Sequence, residues 1–281
     1  MNAALLNIDL HCHSTVSDGQ LPPAAVARRA HGNGVDVWAL TDHDEVGGQA
    51  EAGQTARELG MRFITGVEIS VTWAGQTVHI VGLKFDPADA ALNAGLRATR
   101  AGRGERARRI GERLAALGMP GAYEGALTFV SNPELISRTH FARYLAAQGY
   151  CPNVQAVFDK YLHDGGPGHE PMQWATLEQA VSWIRGAGGR AVMAHPGRYK
   201  YTTTQFDALF DEFIQLGGEG VEVVTGSHSP EDARKYAGEA RRYGLLASRG
   251  SDFHSERDSR ADLGMLPMLP PGLKPVWHDW F

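Results

Sequence analysis

Short apolar runs rich in valine and isoleucine alternate along the chain with amphipathic segments rich in alanine, arginine and glutamate. The apolar runs predict seven strands, at residues 6–11, 35–40, 62–67, 77–83, 190–194, 220–224 and 245–249. The amphipathic segments predict helices at residues 23–31, 48–59, 177–187, 204–216 and 230–243. Repeated β-α units of this kind indicate an α/β fold with a mostly parallel sheet, and the length suits one large α/β barrel.

The alternation lapses between residues 83 and 189, which indicates an insertion. Residues 90–117 predict a long helix, and residues 133–148 and 153–162 predict two more. The glycine-rich run that begins at Asp164 predicts a hinge back into the barrel. We therefore expect the first part of the barrel at residues 1–98, a helical insertion domain at residues 99–167, and the second part of the barrel at residues 168–281.

The composition narrows the class of protein. The chain has 281 residues, a net charge of −5 and 43% hydrophobic residues, so its core needs no disulfide. Two cysteines, Cys12 and Cys151, exclude a disulfide scaffold and a cysteine zinc site. The N-terminus lacks a basic stretch before a long apolar run, and no segment approaches the roughly 18 apolar residues of a membrane span. We expect a cytoplasmic protein that contacts no membrane and has no stable protein partner.

The unusual count is that of the histidines, of which there are 12. Asp9, His11 and His13 alternate with apolar residues, so on a strand all three side chains point the same way. Two imidazoles on one side of a strand can share a metal ion. An isolated pair of this kind is, however, more typical of surface histidines at a strand end, and further evidence is needed.

Polar side chains at or near the ends of other predicted strands supply that evidence. These side chains are Asp42, His43, Asp44, Glu68, His79, His195, Asp252 and His254. Each has an ordinary alternative, such as a helix cap for Asp42 or a core histidine for His79. Because the carboxyl ends of parallel barrel strands converge on one face, we expect the side chains to form one site. Imidazole and carboxylate without thiolate suit Mn²⁺, Fe²⁺ or Zn²⁺, and the sequence does not choose among them.

The order of these motifs resembles the polymerase and histidinol phosphatase (PHP) family of metal-dependent phosphoesterases. The motifs are HxH, TDHD, GVEIS, a downstream histidine, AHPG and SDFH, and they extend from Asp9 to His254. The opening IDLHCHSTVSDG and the segment SRTHFARYL resemble the branch of stand-alone 3′,5′-nucleotide phosphatases and 5′→3′ exoribonucleases. The resemblance implies a distorted (β/α)7 barrel with a small helical insertion domain.

The resemblance also implies two to three divalent ions, with Mn²⁺ expected and Fe²⁺ or Zn²⁺ as alternatives. The first ion would bind His11, His13, Glu68 and Asp252; Glu68 would bridge to a second ion on His79 and His195; Asp18, His43 and His254 would hold a third. At Asp18 the chain departs from relatives that carry a histidine, and a carboxylate there favours a harder ion. Asp9 and Asp42 are expected to orient ligand histidines or to cap structure.

The metal centre would attract phosphate although the protein is acidic. Three divalent ions carry about +6 and their three carboxylate ligands about −3, which leaves the site near +3. A hydroxide that bridges two ions is the expected nucleophile, because metal coordination lowers the pKa of water to about 7. We therefore expect Glu68, His195, Asp252 and His254 to be catalytic.

Arginine pairs its donors with phosphate oxygens, so we expect Arg138, His140 and Arg198 to bind substrate. Arg138 could equally be a surface helix residue, and His228 is a further candidate near a strand end. Residues 97–113 hold seven arginines and two glutamates, which favours a solvated helix face over a surface that guides RNA.

The expected reaction is hydrolysis of the 3′-phosphate of a nucleoside 3′,5′-bisphosphate, such as adenosine 3′,5′-bisphosphate, to leave AMP. The alternatives are 5′→3′ exoribonuclease action on short 5′-phosphorylated oligonucleotides and a histidinol-phosphate phosphatase. A non-catalytic PHP binding module would lack ligands, yet every motif here is complete. An amidohydrolase-type deaminase commonly bridges its metals with a modified lysine, whereas the bridge here resembles Glu68.

Overall fold

The computed structural model describes residues 6–281. Its seven strands form one sheet in sequential order. They are β1 (Ile8–Asp9), β2 (Val37–Leu40), β3 (Arg62–Trp73), β4 (Gln76–Leu83), β5 (Arg190–Met193), β6 (Gly220–Thr225) and β7 (Leu246–Gly250). The first and last strands meet, since the amide of Leu10 donates to the carbonyl of Arg249 over 3.0 Å. The predicted α/β fold with a distorted, nearly closed seven-stranded barrel is confirmed.

The direction of β4 breaks the parallel pattern. The pairs β1–β2, β2–β3, β5–β6 and β6–β7 are parallel, whereas β4 is antiparallel to both β3 and β5. The cause is a two-residue turn, Ala74-Gly75, in which both residues have positive φ (46° and 75°). Such a turn matches the twist of a hairpin and joins β3 directly to β4 without a helix.

The predicted barrel helices are confirmed. They are α1 (Pro23–Gly32), α2 (Gln49–Glu58), α8 (Leu177–Gly186), α9 (Thr203–Gln215) and α10 (Pro230–Tyr243). Three of them begin with a capping box, in which a hydroxyl and the side chain three residues later satisfy each other's backbone amides. The capping residues are Thr176, Thr202 and Ser229.

The single long helix predicted at residues 90–117 is wrong. The chain instead forms α3 (Ala90–Arg100) and α4 (Arg103–Ala116), with a break at Ala101 and Gly102. The physical reason is that the two helices belong to different cores. Leu92 and Leu96 pack with the barrel, whereas Ile110 and Leu114 pack with the insertion.

The insertion continues with α5 (Ala122–Leu127), α6 (Arg138–Ala147) and α7 (Val154–Val157), which runs into a π turn at Phe158–Leu162. The sequence analysis did not predict α5. The helix predicted from residue 133 begins as a short 3₁₀ turn, and α6 starts only after the cap at Ser137. Buried residues from Ala107 to Leu162 form a separate hydrophobic cluster. The domain boundaries at residues 98/99 and 167/168 stay predictions.

The C-terminal segment packs against the barrel near the starts of β5 and β7. Val276 and Trp277 are buried there, and the amide of Val276 donates to Ala247. Among the helices of residues 6–281, none combines the length and apolar character needed to cross a bilayer. The expectation that no signal peptide precedes the barrel rests partly on residues 1–5, which lie outside the described residues.

Candidate metal centre

His11 and His13 project from the chain just after β1, at the end of the barrel where the parallel strands finish. The backbone amide of His13 donates to Phe253 (2.8 Å), and that of Asp252 donates to His11 (2.7 Å). The two segments approach closely because Gly250, the last residue of β7, has no side chain. A Cβ at this position would fall 2.3 Å from the Cβ of His11. The glycine therefore allows the HxH and SDFH motifs to meet.

Glu68 lies within β3 and not at its end, so that part of the sequence analysis is wrong. The pairing of β3 with β2 stops at Thr65, after which β3 continues to Trp73 as half of the hairpin with β4. His79 lies in the first half of β4. Because β4 runs antiparallel to its neighbours, its beginning lies beside the carboxyl ends of the parallel strands. The hairpin thus brings His79 to the same face as Glu68.

The carboxylate of Glu68 is surrounded by imidazoles. Its Oε1 lies 2.9 Å from His195 Nε2 and 3.0 Å from His79 Nδ1. Its Oε2 lies 3.0 Å from His43 Nδ1 and 3.3 Å from His13 Nε2. One carboxylate therefore reaches several groups of ligands, as a bridging ligand must.

A second and a third carboxylate lie around this centre. Asp252 Oδ1 is 3.3 Å from His13 Nε2 and 3.6 Å from His11 Nε2. Asp18 Oδ1 is 3.3 Å from His254 Nε2 and 3.8 Å from the Nε2 of His43. Asp18, the least expected of the candidate ligands, thus lies beside the two histidines with which it was grouped.

The structure brings all nine candidate ligands together in four overlapping groups, whose donor atoms lie within 4.8 Å of one another. The groups are His13, Asp18, His43 and His254; His11, Glu68 and His195; His11, His13 and Asp252; and His43, Glu68 and His79. We call these nine residues the histidine–carboxylate floor.

The donor set fits divalent cations. Within the described part of the chain, Asp18 Oδ1, His43 Nδ1 and Glu68 Oε2 are buried without a hydrogen-bond partner. Buried polar atoms are normally satisfied, and leaving one unsatisfied costs about 1–3 kcal/mol. Six imidazoles and three carboxylates without thiolate are ligands that Mn²⁺, Fe²⁺ and Zn²⁺ accept.

Two of the imidazoles are neutral at pH 7. Burial, together with positive charge on His254 and His43, lowers the pKa of His13 to about 3. Burial and the guanidinium of Arg198 lower the pKa of His195 to about 4. Neutral imidazole is the form that binds a metal ion.

The carboxylates remain ionised despite their burial. Burial opposes ionisation of Glu68, but charges on His79 and His11 outweigh it and hold its pKa well below the ordinary value. Burial likewise opposes protonation of His43, but Glu68 and Asp18 outweigh it and raise the pKa of His43 to about 9. A cation would therefore displace a proton from His43.

Glu222, which was not a candidate from the sequence, contacts two parts of the floor. Its Oε1 lies 2.7 Å from His11 Nδ1, and its Oε2 accepts the backbone amide of His195 over 2.7 Å. A carboxylate on the far nitrogen of a ligand histidine fixes the ring and its tautomer. Glu222 is the acidic residue in the strand sequence GVEVVT. A carboxylate within an otherwise apolar strand was the signal available in the sequence.

Asp9 and Asp42 cap backbone groups, and in the described part of the chain neither makes a hydrogen bond or ion pair with a histidine ring. Asp9 accepts the amides of Ser251 (2.8 Å) and Gly264 (2.7 Å). Asp42 accepts the amide and hydroxyl of Ser14, both over 2.7 Å. Of the two roles predicted for these aspartates, the geometry favours the structural cap.

The three predicted substrate contacts have different surroundings. Arg198 contacts Asp252 and lines the cavity above the floor. Arg138 lines the same cavity, with its guanidinium bound to Asp164 (2.6 Å). His140 is buried below Ser137, whose hydroxyl donates to Asp18 over 3.1 Å.

His228 lies outside the cluster, and its ring supports the turn that carries Arg198. The ring Nε2 accepts the amide of Gly197 over 3.0 Å, and Nδ1 lies 3.0 Å from the carbonyl of Val223. His228 therefore contacts the loop after β5 rather than the floor.

Two adjacent cavities open above the floor, and both are lined by His79, Arg138 and Arg198. The smaller, of about 170 Å³, is lined by floor residues together with Arg103, Arg106, Arg138, Arg198 and Trp174. The larger, of about 690 Å³, extends past His79 toward Phe158 and the turn at Gly165. Arg103 and Arg106 come from the arginine-rich stretch that was expected to be solvated, and both are buried.

Comparison with known proteins agrees with this geometry. A profile of the PHP domain matches residues 9–190. The chain belongs to the PHP domain family. A 3′,5′-nucleoside bisphosphate phosphatase from Chromobacterium violaceum is 50% identical over 98% of this chain and 96% of its own. The 5′-3′ exoribonuclease Rnm of Escherichia coli is 39% identical over 97% of this chain and 93% of its own.

Solved structures show the same PHP architecture. A protein from Chromobacterium violaceum described as an amidohydrolase, with bound sulfate and no metal, superposes with a TM-score of 0.94. It is 51% identical and covers 97% of this chain and 95% of its own. A protein from Bifidobacterium adolescentis, predicted to be a metal-dependent phosphoesterase, gives a TM-score of 0.81 at 28% identity, covering 97% and 93%. The predicted family and enzyme class, a metal-dependent phosphoesterase, are confirmed.

Proposed function

We propose that this PHP protein hydrolyses the 3′-phosphate of nucleoside 3′,5′-bisphosphates. The observation that carries the proposal is the histidine–carboxylate floor beneath an arginine-lined cavity. The floor suits cations, and the arginines above it suit anions, so a phosphate ester is the ligand that satisfies both. The relative at 50% identity, named as a 3′,5′-nucleoside bisphosphate phosphatase, supports this choice of substrate.

We assign the metal ligands as the resemblance implied. His11, His13, Glu68 and Asp252 would hold one ion, Glu68 with His79 and His195 a second, and Asp18 with His43 and His254 a third, in line with the distances between their donor atoms. Mn²⁺ is the proposed ion. When bound, divalent ions would supply an ionised water as nucleophile and would neutralise charge that develops on phosphorus.

The protein's own residues would position the substrate. Arg198 lies beside Asp252 and can donate to the phosphate that is hydrolysed. Glu68, His195 and Asp252 are buried in the floor, and His254 lines the cavity in which that phosphate would lie. Arg138 is a candidate for contact with the sugar, and His140 would act through Ser137 and Asp18. The larger cavity of about 690 Å³ has a volume in the range of about 300–1,000 Å³ that small-molecule sites have.

Exoribonuclease activity on short 5′-phosphorylated RNA is the second candidate. The exoribonucleases at 39–40% identity favour it, since they cover 97% of this chain. The larger cavity continues beyond the floor along Lys200 and Gln76, which leaves a path for a longer substrate. Histidinol phosphate is disfavoured, because its cationic amine would face Arg106, Arg138 and Arg198.

We also propose a cytoplasmic location. Cys12 and Cys151 are both buried and unpaired, which suits a reducing compartment.

Phosphate release from adenosine 3′,5′-bisphosphate by Mn²⁺-loaded protein tests the proposal. We expect the bisphosphate to be hydrolysed faster than 3′-AMP, 5′-AMP or histidinol phosphate. Glu68→Gln should lower kcat/KM by about 1,000-fold or more, because the two groups of candidate ligands that include Glu68 both lose a negative charge. Glu219→Gln, at the half-exposed residue that precedes β6 and pairs with Arg190, is the matched control and should retain activity. An inert bisphosphate beside a shortened 5′-phosphorylated RNA would favour the exoribonuclease.

A further inference from the structure

Two arginines of α4 face inward. The buried residues of this helix are Arg103, Arg106, Ala107, Ile110, Gly111 and Leu114. Ala107, Ile110 and Leu114 form the apolar stripe of the insertion core, and Arg103 and Arg106 extend that stripe by one helical turn. The two guanidiniums therefore point at the barrel and line the smaller cavity. We call Arg103, Arg106 and the adjacent Trp174 the arginine wall.

Arg106 differs from the other arginines of the cavity in having no anionic partner. Arg103 binds Asp44, Arg138 binds Asp164 and Arg198 binds Asp252. Within residues 6–281, no carboxylate lies within 4.0 Å of the Arg106 guanidinium. Its Nε donates to the carbonyl of Glu170 over 2.8 Å, and the rest of the group faces the cavity.

Most of the surroundings of Arg106 oppose its charge, and the more distant carboxylates of Asp164 and Glu170 offset this effect only in part. The side chain is 5% exposed. Burial and the positive charges of Arg138 and Arg103 lower the pKa of Arg106 to about 9. A buried charge without a partner is unfavourable, and such groups are normally paired. An anionic ligand would supply the missing partner.

Trp174 holds the two guanidiniums in place. Arg103 lies 4.6 Å and Arg106 5.2 Å from the centre of its ring. The indole Nε1 donates to the Thr77 hydroxyl over 3.2 Å, and the backbone amide donates to Thr72 over 2.8 Å. Because the ring is anchored in the β3–β4 hairpin, the arginine wall keeps a fixed position above the floor. Fixed donors recognise an anion with little loss of side-chain entropy.

We propose that Arg106, with Arg103 beside it, binds the substrate phosphate that is not hydrolysed. This inference rests on the proposed function and assigns its second phosphate, a phosphomonoester dianion such as a 5′-phosphate. The phosphate that is hydrolysed must lie on the floor, where Arg198 contacts Asp252. Arg106 belongs to the insertion and contacts none of the floor residues through a hydrogen bond or ion pair in the described chain. The two phosphates thus occupy opposite sides of one cavity.

The arrangement explains how a monophosphate would be rejected. A ligand with one phosphate on the floor leaves Arg106 buried and unpaired, whereas a bisphosphate pairs it. A site with an unpaired buried polar group discriminates strongly against the ligand that fails to satisfy it. Discrimination between the two substrates therefore resides in the insertion, while the chemistry resides in the barrel.

The test compares kcat/KM for adenosine 3′,5′-bisphosphate with kcat/KM for 3′-AMP in Mn²⁺-loaded protein. Arg106→Gln should lower the bisphosphate-to-monophosphate ratio by about 10- to 100-fold, the size of a lost charge-assisted hydrogen bond. Arg106→Lys, which keeps the charge but not the paired donors, should lie between the wild type and Arg106→Gln. Arg108→Gln, an exposed arginine on the same helix, is the matched control and should leave the ratio unchanged.

Two further measurements make the outcome decisive. The thermal midpoint of Arg106→Gln should equal or exceed that of the wild type, because a buried unpaired charge is removed. The second measurement compares kcat/KM for a short RNA that carries a 5′-phosphate with kcat/KM for the same RNA with a 5′-hydroxyl. It shows whether the bound phosphate belongs to a mononucleotide or to an RNA end.

Equal losses on the bisphosphate and on 3′-AMP would overturn the inference, because Arg106 would then act only through the fold. If the wild type hydrolyses neither substrate, the proposed function fails and the bisphosphate becomes an unreactive ligand. Its Kd then decides the inference separately. A Kd weakened about 10-fold or more in Arg106→Gln would support the pocket, and an unchanged Kd would overturn it.

Discussion

The histidine–carboxylate floor and the arginine wall face each other across one cavity and are built in opposite ways. The floor collects nine ionisable side chains from the barrel, and its carboxylates and imidazoles compensate one another. The wall collects guanidiniums from the insertion, and Arg106 remains without a carboxylate in the described chain. This difference indicates that the floor is arranged to bind cations and the wall is arranged to bind an anion. A phosphorylated ligand between them would complete both.

Asp44 connects the two regions, because its backbone amide donates to the carbonyl of Glu68 over 2.9 Å and its side chain binds Arg103. Its loss is therefore expected to have the largest effect. Its buried carboxylate binds Arg103 and accepts the amide and hydroxyl of Ser70, over 2.7 and 2.9 Å. Asp44→Asn leaves the Arg103 charge buried and unpaired, and should lower the free energy of unfolding by about 3 kcal/mol or more. Urea unfolding measures this change.

A double-mutant cycle provides the control for Asp44. Adding Arg103→Met to Asp44→Asn should restore part of the lost stability, because the unpaired charge is then removed. If the two substitutions lower the free energy of unfolding by independent, additive amounts, the pair of Asp44 and Arg103 does not link the wall to the floor.

Metal removal distinguishes the floor from the wall. Mn²⁺ at about 100 times its Kd should raise the free energy of unfolding by about 2.7 kcal/mol, because it binds the folded protein. The thermal midpoint with Mn²⁺ and after chelation measures the effect. Asp252→Asn should reduce this gain and Arg106→Gln should not. An equal gain in both variants would place the cation elsewhere.

Substitution of Glu222 tests how far the metal affinity of the floor depends on the carboxylate that contacts His11. Glu222→Gln removes the charge that lies 2.7 Å from His11 Nδ1, and should weaken Mn²⁺ binding by about 10- to 100-fold. Competition with a chelator measures the Kd. Glu219→Gln, three residues earlier and half-exposed, is the control. Unchanged affinity in Glu222→Gln would show that the backbone alone orients His11.

The smallest effect is expected in the insertion, from His140. Burial lowers its pKa to about 4 from an ordinary 6.5, so the unfolded chain binds more protons between these values. Stability from the neutral ring is therefore complete above pH 6.5 and is lost as the pH falls toward 4. His140→Asn should reduce this acid loss by about 1–2 kcal/mol. Urea unfolding at several pH values measures it, and an unchanged slope would refute it.

The floor could be predicted because each of its residues lies in a local pattern. His11, His13 and His43 follow short apolar strands, and parallel strands place such residues on one face. His79 reached the same face for a different reason, since β4 runs antiparallel. The period-two pattern of a strand does not reveal its direction, so the sequence made His79 a candidate ligand but did not predict the hairpin that brings it to this face.

The wall could not be predicted in the same way. Arg103 and Arg106 stand among five other arginines in residues 97–113, and a charged stretch is usually solvated. Their spacing from Ile110 and Leu114 was a usable signal, because it continues the apolar stripe. The direction of that stripe depends on the break between α3 and α4, which the sequence analysis missed.

The sequence by itself determined the strands, the barrel helices and the candidate ligands, because these depend on local periodicity and on residue type. Only the tertiary structure decided which charges are compensated. Glu222 reaches His11 across 211 positions, and Asp44 reaches Arg103 across 59. The electrostatic free energy of a buried group depends on the distances to its neighbours and on the loss of water, and neither quantity is a property of neighbouring residues in the chain.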